Sequence, residues 1–313
     1  MHGILLVDKP SGWTSHDVVQ WVRTRLRVET VGHGGTLDPA AEGLLVIAVG
    51  IATRLVRHAA DADKSYVAHI VFGTGTTSDD LEGEPLAASP LSLYRPALRD
   101  VQSALAEFLG EYEQQPPIYS ALKVGGVAAY RRARAGQPVP LKRRVVRVNS
   151  LRLVQYSYPD LIVSLDCGKG FYVRSFARDL GTRLGTGAYL HGLVRTRVGR
   201  FSLASAWSID ELNRVLTPSS WPLIARHPDE LVAELPVLLV PERELRAWYH
   251  GAPVRCSASS SPSTTARAYT PDGNWIGLAH FDPQKRYWQP VLVYRDGSGW
   301  RGKTPNEDHS LLE

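Results

Sequence analysis

Gly32-His33-Gly34-Gly35-Thr36-Leu37-Asp38-Pro39 sets a single carboxylate on a glycine-rich loop. Glycine permits close backbone approach and positive φ, which a segment lying against a large ligand needs. Pro39 fixes the exit from the loop and biases Asp38 toward an extended backbone. Apolar Leu37 precedes the carboxylate, and the run GLLVIAV at 43–49 follows as a predicted buried strand. Asp-Pro on its own is a common turn in which the Asp is structural. The segments around it give this carboxylate a different meaning.

Upstream, residues 3–7 (GILLV) read as a strand that ends at Asp8-Lys9-Pro10. Thr14 and Asp17 have capping-box spacing, and Val18, Val19, Val22 and Leu26 mark one face of a helix to about Arg27. Downstream, a strand is predicted over 66–72, a loop rich in Gly, Thr, Ser, Asp and Pro over 74–90, and a helix over 98–109. A short helix over 128–135, strands over 145–154 and 161–167, and a strand over 171–174 follow. The spacing then predicts a helix over 175–184, a strand near 193–201 and a capped helix from Ser208 to about Leu216.

Residues 217–236 carry Pro218, Pro222, Pro228 and Pro236 and read as an inter-domain connection. Beyond it, short strands at 253–255, 266–269, 275–279 and 289–294 have the texture of a small β-barrel. The domain reading is 1–230, with a basic insertion at about 114–152, then a barrel over 231–296 and a flexible tail over 297–313.

Charge is segregated along the chain. Residues 114–159 hold nine Lys and Arg and no acid; residues 169–200 hold seven bases against Asp179 alone. The chain has 29 Arg and 7 Lys, a bias that explains the choice of base but not the missing acids. Such a distribution is the footprint of a polyanion site, here nucleic acid. Cys167 and Cys256 have no CxxC spacing, so neither a zinc site nor a disulfide framework is expected. No apolar run is long enough to span a bilayer and the N-terminus lacks the pattern of a signal peptide, so a cytoplasmic location is expected.

Several segments, in order, closely resemble the bacterial tRNA pseudouridine-55 synthase family, the TruB family. They are 3–11 (GILLVDKPS), 32–39 with 42–45 (EGLL), 64–66 (KSY), 115–123 (QPPIYSALK), 130–136, 167–174 (CGKGFYVR), 179–181 (DLG) and 193–195 (LVR). The chain departs at Gly34, where many members carry Thr. The resemblance implies an α+β catalytic domain with a central mixed, mostly antiparallel sheet and a basic insertion, followed by a PUA-like RNA-binding barrel. It also implies isomerisation of one uridine in the T arm of tRNA to pseudouridine, with no cofactor, no metal and no obligate protein partner, by a monomer.

Carried onto this chain, the resemblance makes Asp38 the catalytic carboxylate, attacking either C1′ of the ribose or C6 of the uracil. Arg174 pairs with Asp38 and keeps it charged; Tyr66 stacks on the uracil. Tyr172 packs near the Asp–Arg pair, two residues from Arg174 on one strand face. Leu193 forms an apolar wall, and His33 touches the RNA. Lys123, Arg131, Arg132, Arg143 and Arg144 are the expected phosphate contacts, with Tyr119 and Tyr130 beside them. A non-catalytic RNA-binding protein or tRNA-folding chaperone on the same scaffold is the other function class. A glycoside hydrolase is disfavoured, because those enzymes work with paired carboxylates.

Overall fold

The computed structural model describes residues 1–86, 94–119, 123–124, 127–129, 132, 137, 139–255 and 264–295. A ten-stranded sheet organises the first 208 residues. Its strands are β1 (Gly3–Lys9), β2 (Val31–His33), β3 (Glu42–Val49), β4 (Lys64–Phe72), β5 (Gly110–Gln114), β8 (Arg144–Ser157), β9 (Asp160–Cys167), β10 (Ala188–Val198), β11 (Phe201–Ser202) and β12 (Trp207–Ser208), with the small pair β6 (Lys123–Val124) and β7 (Val127–Ala128) apart from it. The order is β12-β1-β3-β10-β4-β9-β8-β5, with β2 on β3 and β11 on β10. Only β1–β12 and β3–β10 are parallel, so the sheet is mixed and mostly antiparallel, as expected.

Two burial patterns explain how the strands read. In β4 alternate residues Tyr66, Ala68, Ile70 and Phe72 turn inward, where Leu161, Val163 and Leu165 of β9 meet them. Helices α3 (Leu98–Ala106) and α4 (Val173–Leu184) cover this face with Val101, Ala104, Phe176, Ala177 and Leu180. β3 is instead buried on both sides, which is why its sequence is a continuous apolar run. Leu45, Ile47 and Val49 face helix α1 (Ser15–Leu26); Leu44, Val46 and Ala48 face residues from the C-terminal part of the chain. α1 begins at the expected capping box, with the Asp17 amide donating to Thr14 Oγ1 at 3.0 Å and the Thr14 amide to Asp17 at 2.8 Å.

One boundary differs in a way that matters. Residues 171–174 are not a strand: α4 starts at Val173, with Tyr172 as its extended N-cap residue. Cys167 ends β9, a two-residue turn at Lys169-Gly170 reverses the chain, and the helical period takes over earlier than the aromatic pair Phe171-Tyr172 suggests. Tyr172 and Arg174 therefore share no strand face, and Arg174 lies in the first helical turn. Most of the expected helix over 128–135 lies outside the described residues, as does the tail after 295.

Residues 217–236 connect the two parts but are built into the core. Trp221, in a short helix, donates its indole N–H to the His2 carbonyl at 2.9 Å, and Ile4 and Arg226 exchange backbone hydrogen bonds of 2.9 and 2.8 Å. Leu231 and Val232 are buried beside Ile4 and Leu6. A separate four-stranded sheet follows: β13 (Val237–Leu239), β14 (Thr265–Tyr269), β15 (Trp275–Asp282) and β16 (Tyr287–Val293), in that order. Its Leu238, Ile276 and Trp288 pack against Trp248, from a helix over Glu242–Tyr249 that the sequence reading left unassigned. Its Trp275, Leu278 and Leu292 close against Ile4 and Leu6, so this sheet and the first share apolar packing.

Candidate active site

The loop that carries Asp38 is held by groups from four elements. The Gly34 amide donates to the Val46 carbonyl at 2.8 Å, and the Ser15 hydroxyl bridges both backbone groups of Leu37, accepting from its amide at 2.8 Å and donating to its carbonyl at 3.1 Å. Lys9, at the end of β1 and fully buried, donates its ammonium to the carbonyls of Pro10, Trp13 and Pro39 at 2.9, 2.6 and 3.1 Å. Arg195, also buried, reaches from β10 to the carbonyls of Gly35, Thr36 and Leu44. Buried cations satisfied by carbonyls fix a backbone that no regular ladder could hold. Gly34 has its own reason: a Cβ there would sit 2.5 Å from Ala59 Cβ, so helix α2 (Val56–Asp61) packs directly on the loop.

Asp38 emerges from this support with its side chain 46% exposed. Arg174 Nε lies 3.0 Å from Asp38 Oδ2, and the same guanidinium pairs through Nη1 with Asp80 at 3.1 Å. Its Nη2 donates to the Tyr119 carbonyl at 2.8 Å. Arg174 itself is buried, which strengthens each of these charge-assisted contacts. Burial raises the Asp38 carboxyl above the ordinary carboxylate value; Arg174 opposes that rise, Asp80 adds to it and Lys9 lowers it. Desolvation is the largest influence, so the net direction is up.

Tyr66 stands opposite Arg195 across the β4–β10 ladder, and Leu193 stands opposite Ala68 one pleat away. Leu193 is part-buried against the core and Tyr66 is buried. Burial pushes the Tyr66 phenol up to about 12, although the Arg195 guanidinium beside it favours the phenolate. His33 ends β2, and burial, with Arg195 next, lowers its imidazole pKa against the opposing pull of the Gly35 backbone. Tyr172 caps α4, its amide bonded to Gln114 at 2.9 Å, and the Arg144 guanidinium sits 4.8 Å above its ring.

The basic candidates separate. Arg143 is exposed, whereas Arg144 donates to the Gly170 carbonyl and stacks on Tyr172. Arg132 is half-buried, and its Nε has no hydrogen-bond partner among the described residues. Lys123 is placed by its backbone in β6, and Arg131 and Tyr130 lie outside the described residues. Sequence reasoning missed Asp80, Arg195, Lys9 and Lys64. The last donates to the carbonyls of Ala59, Ala60 and Ala62. Lys9 and Lys64 stood inside matched segments, but nothing in their spacing says that their ammonium groups are buried. Asp80 fell in a stretch that reads only as a loop.

Residues 23–173 match the family model described as TruB family pseudouridylate synthase (N terminal domain). The chain is 44% identical over 255 residues to the tRNA pseudouridine synthase B of Synechocystis sp., covering 80% of this chain and 84% of that one. The chain belongs to the TruB family of pseudouridylate synthases. A second relative, the tRNA pseudouridine synthase B of Thermobifida fusca, is 40% identical over 300 residues, 93% of this TruB-family chain and 98% of the relative. That of Pseudomonas aeruginosa is 39% identical over 280 residues, 88% and 90% of the two chains. In fold, this TruB-family protein resembles a chain in a crystal structure of a Cbf5-Nop10-Gar1 complex, with TM-score 0.69 and 24% identity, over 94% of this chain and 84% of that one. Among the described residues no helix is long and apolar enough to cross a membrane.

Proposed function

We propose that this TruB-family isomerase converts uridine 55 in the T loop of tRNA to pseudouridine. The observation that carries the reading is the Asp38 carboxylate, half-open to solvent on a rigid loop and paired with Arg174 at 3.0 Å. The names of the relatives, tRNA pseudouridine synthase B, support tRNA as the substrate. In the reaction the N1–C1′ bond breaks, the base turns, and C5 bonds to C1′. N1 ends with a proton and C5 loses one, so no redox partner or external group enters.

Asp38 supplies the nucleophilic carboxylate, at C1′ or at C6; both routes begin from the ionised group. Arg174 favours that ionised form and fixes its orientation. Tyr66, like any tyrosine, keeps its proton at neutral pH, and burial, which raises the phenol to about 12, holds it more firmly; it serves as a stacking face and hydrogen-bond donor for the uracil rather than as a base. Leu193 walls the base, and Tyr172 with Arg144 bounds the site at the start of α4. His33, as a neutral imidazole, contacts the RNA.

The target base must leave its stack to reach Asp38, at a cost of a few kcal/mol offset by aromatic and phosphate contacts. Lys123, Arg131, Arg132 and Arg143 provide those phosphate contacts, whereas Arg144, expected beside them, is engaged by the Gly170 carbonyl and the Tyr172 ring; the C-terminal sheet acts as a PUA-like RNA-binding module. The test is tritium release from tRNA labelled with 5-³H-uridine. Release by the wild type and not by Asp38→Asn supports the reading. No release from either, with tRNA still bound, makes the chain an RNA-binding chaperone instead.

A further inference from the structure

Arg178 follows Arg174 by one turn of α4, and its guanidinium repeats the pattern of its neighbour. Nη1 pairs with Asp79 at 2.7 Å, Nη2 donates to the Gln115 carbonyl at 2.7 Å, and Nε and Nη2 hold Asp179 at 3.0 and 2.9 Å. Asp79 precedes Asp80 in the chain, and Gln115 lies four residues before Tyr119. Arg178 thus fixes the two segments that carry Arg174's further acceptors: the Asp80 carboxylate and the Ser78 carbonyl, the latter at 3.4 Å, on either side of Asp79, and the Tyr119 carbonyl. The loop is held tightly at this point. Asp79 has a left-handed backbone at φ 65°, and its carbonyl accepts from the Leu190 amide on β10 at 3.0 Å. A non-glycine residue in that region persists only where its surroundings enforce it.

We propose that Arg178 is a positioning residue for the reaction, holding Asp80 and Tyr119 where they orient Arg174 on Asp38. It touches neither the substrate nor Asp38. The inference rests on Asp38 being the working carboxylate of the proposed isomerase. A lysine at 178 keeps the charge but has no planar fork, so it cannot hold Asp79, Asp179 and the Gln115 carbonyl together. Arg174 then loses fixed acceptors on two sides and its grip on Asp38 loosens.

The groups that face Asp38 are Arg174 from α4, Asp80 from the loop after β4, and Lys9 from β1. Arg174 is the largest of the influences that lower the Asp38 carboxyl, so loosening it moves that carboxyl to higher pH. Arg178→Lys is expected to lower kcat for tritium release about tenfold, the scale of one charge-assisted hydrogen bond. KM stays within about threefold and the acid limb of the pH–rate profile shifts upward. Asp79→Asn, which keeps shape and an acceptor, shifts both in the same direction by less.

A ¹³C NMR titration of the Asp38 carboxyl, without RNA, reads the same upward shift in Arg178→Lys. Because it needs no turnover, it separates this inference from the substrate assignment, which fails if the wild type releases no tritium. The inference is overturned if the Asp38 titration is unmoved in a variant that melts with the wild type. It is also overturned if kcat falls only in step with folded protein, or if KM alone changes. Thermal melts of both variants accompany the titration, so Asp79→Asn carries the test should Arg178→Lys fail to fold.

Discussion

A carboxylate raised above its ordinary pKa by burial is a liability to the fold that bears it. For Asp38 the sign is definite: the folded value exceeds the unfolded one, so the folded chain binds more protons between them. Stability therefore falls as pH rises from the unfolded value through the folded one, and at neutral pH the ionised group costs the fold. Arg174 offsets part of that cost. Asp38→Asn removes the charge while leaving Arg174 paired with Asp80, so its Tm at neutral pH is expected to equal or exceed that of the wild type. Tritium release should fall on the order of 10³-fold or more, the scale seen when a nucleophile is removed. Tritium release near the wild-type rate from a folded Asp38→Asn variant would remove Asp38 from the chemistry. If Asp38 is the working carboxylate, as proposed, the same ionisation sets the acid limb of the rate, and burial is expected to move that limb upward from the ordinary carboxylate value.

Helix α4 carries Arg174 and Arg178, and its seating depends on a residue with no side chain. A Cβ on Gly181 would lie 2.3 Å from the Ala188 amide nitrogen and 2.6 Å from Ala188 Cβ, where β10 begins. In an isolated helix Gly→Ala stabilises by about 1 kcal/mol. Here backbone contact reverses the sign, since overpacking of this kind costs about 1–3 kcal/mol or more. Gly181→Ala should lower Tm by several degrees, at about 2–4 °C per kcal/mol for a chain of this size. An unchanged or higher Tm would mean that β10 gives way freely. The resemblance pointed to Asp179-Leu180-Gly181 without its reason, which is a strand packed on a helix. β4 and α1 were legible because each buries one face and shows the matching period in its sequence. The start of α4 was not, because Phe171 and Tyr172 read as strand residues while Tyr172 in fact caps the helix. Asp80 was not legible either: its role is made by a loop folding back onto Arg174, 94 residues away, and no local pattern records such a contact.

Across the whole molecule the two parts are joined by Ile4 and Leu6 packing against Leu231, Trp275 and Leu292, while the excess positive charge lies in the catalytic part. On the proposed function, that asymmetry assigns RNA binding chiefly to the first 230 residues, with affinity expected to fall as salt rises and counterions are released. Arg143 and Arg144 are adjacent in sequence but differ in position. Arg143 is exposed and so free to meet a phosphate; Arg144 is committed to the Gly170 carbonyl and the Tyr172 ring at the head of α4. Arg143→Glu should weaken tRNA binding and reduce the slope of log K against log salt by about 1, with kcat at saturating tRNA near the wild-type value. Arg144→Glu should lower kcat as well, because it frees Tyr172 at the head of α4, two positions before Arg174 in the chain. Filter binding across a salt series together with single-turnover tritium release distinguishes the two. If Arg143→Glu left both affinity and slope unchanged, the acid-free segment would have another partner than the phosphate backbone. Identical behaviour of the two variants would mean that the Arg144–Tyr172 contact does nothing for the site.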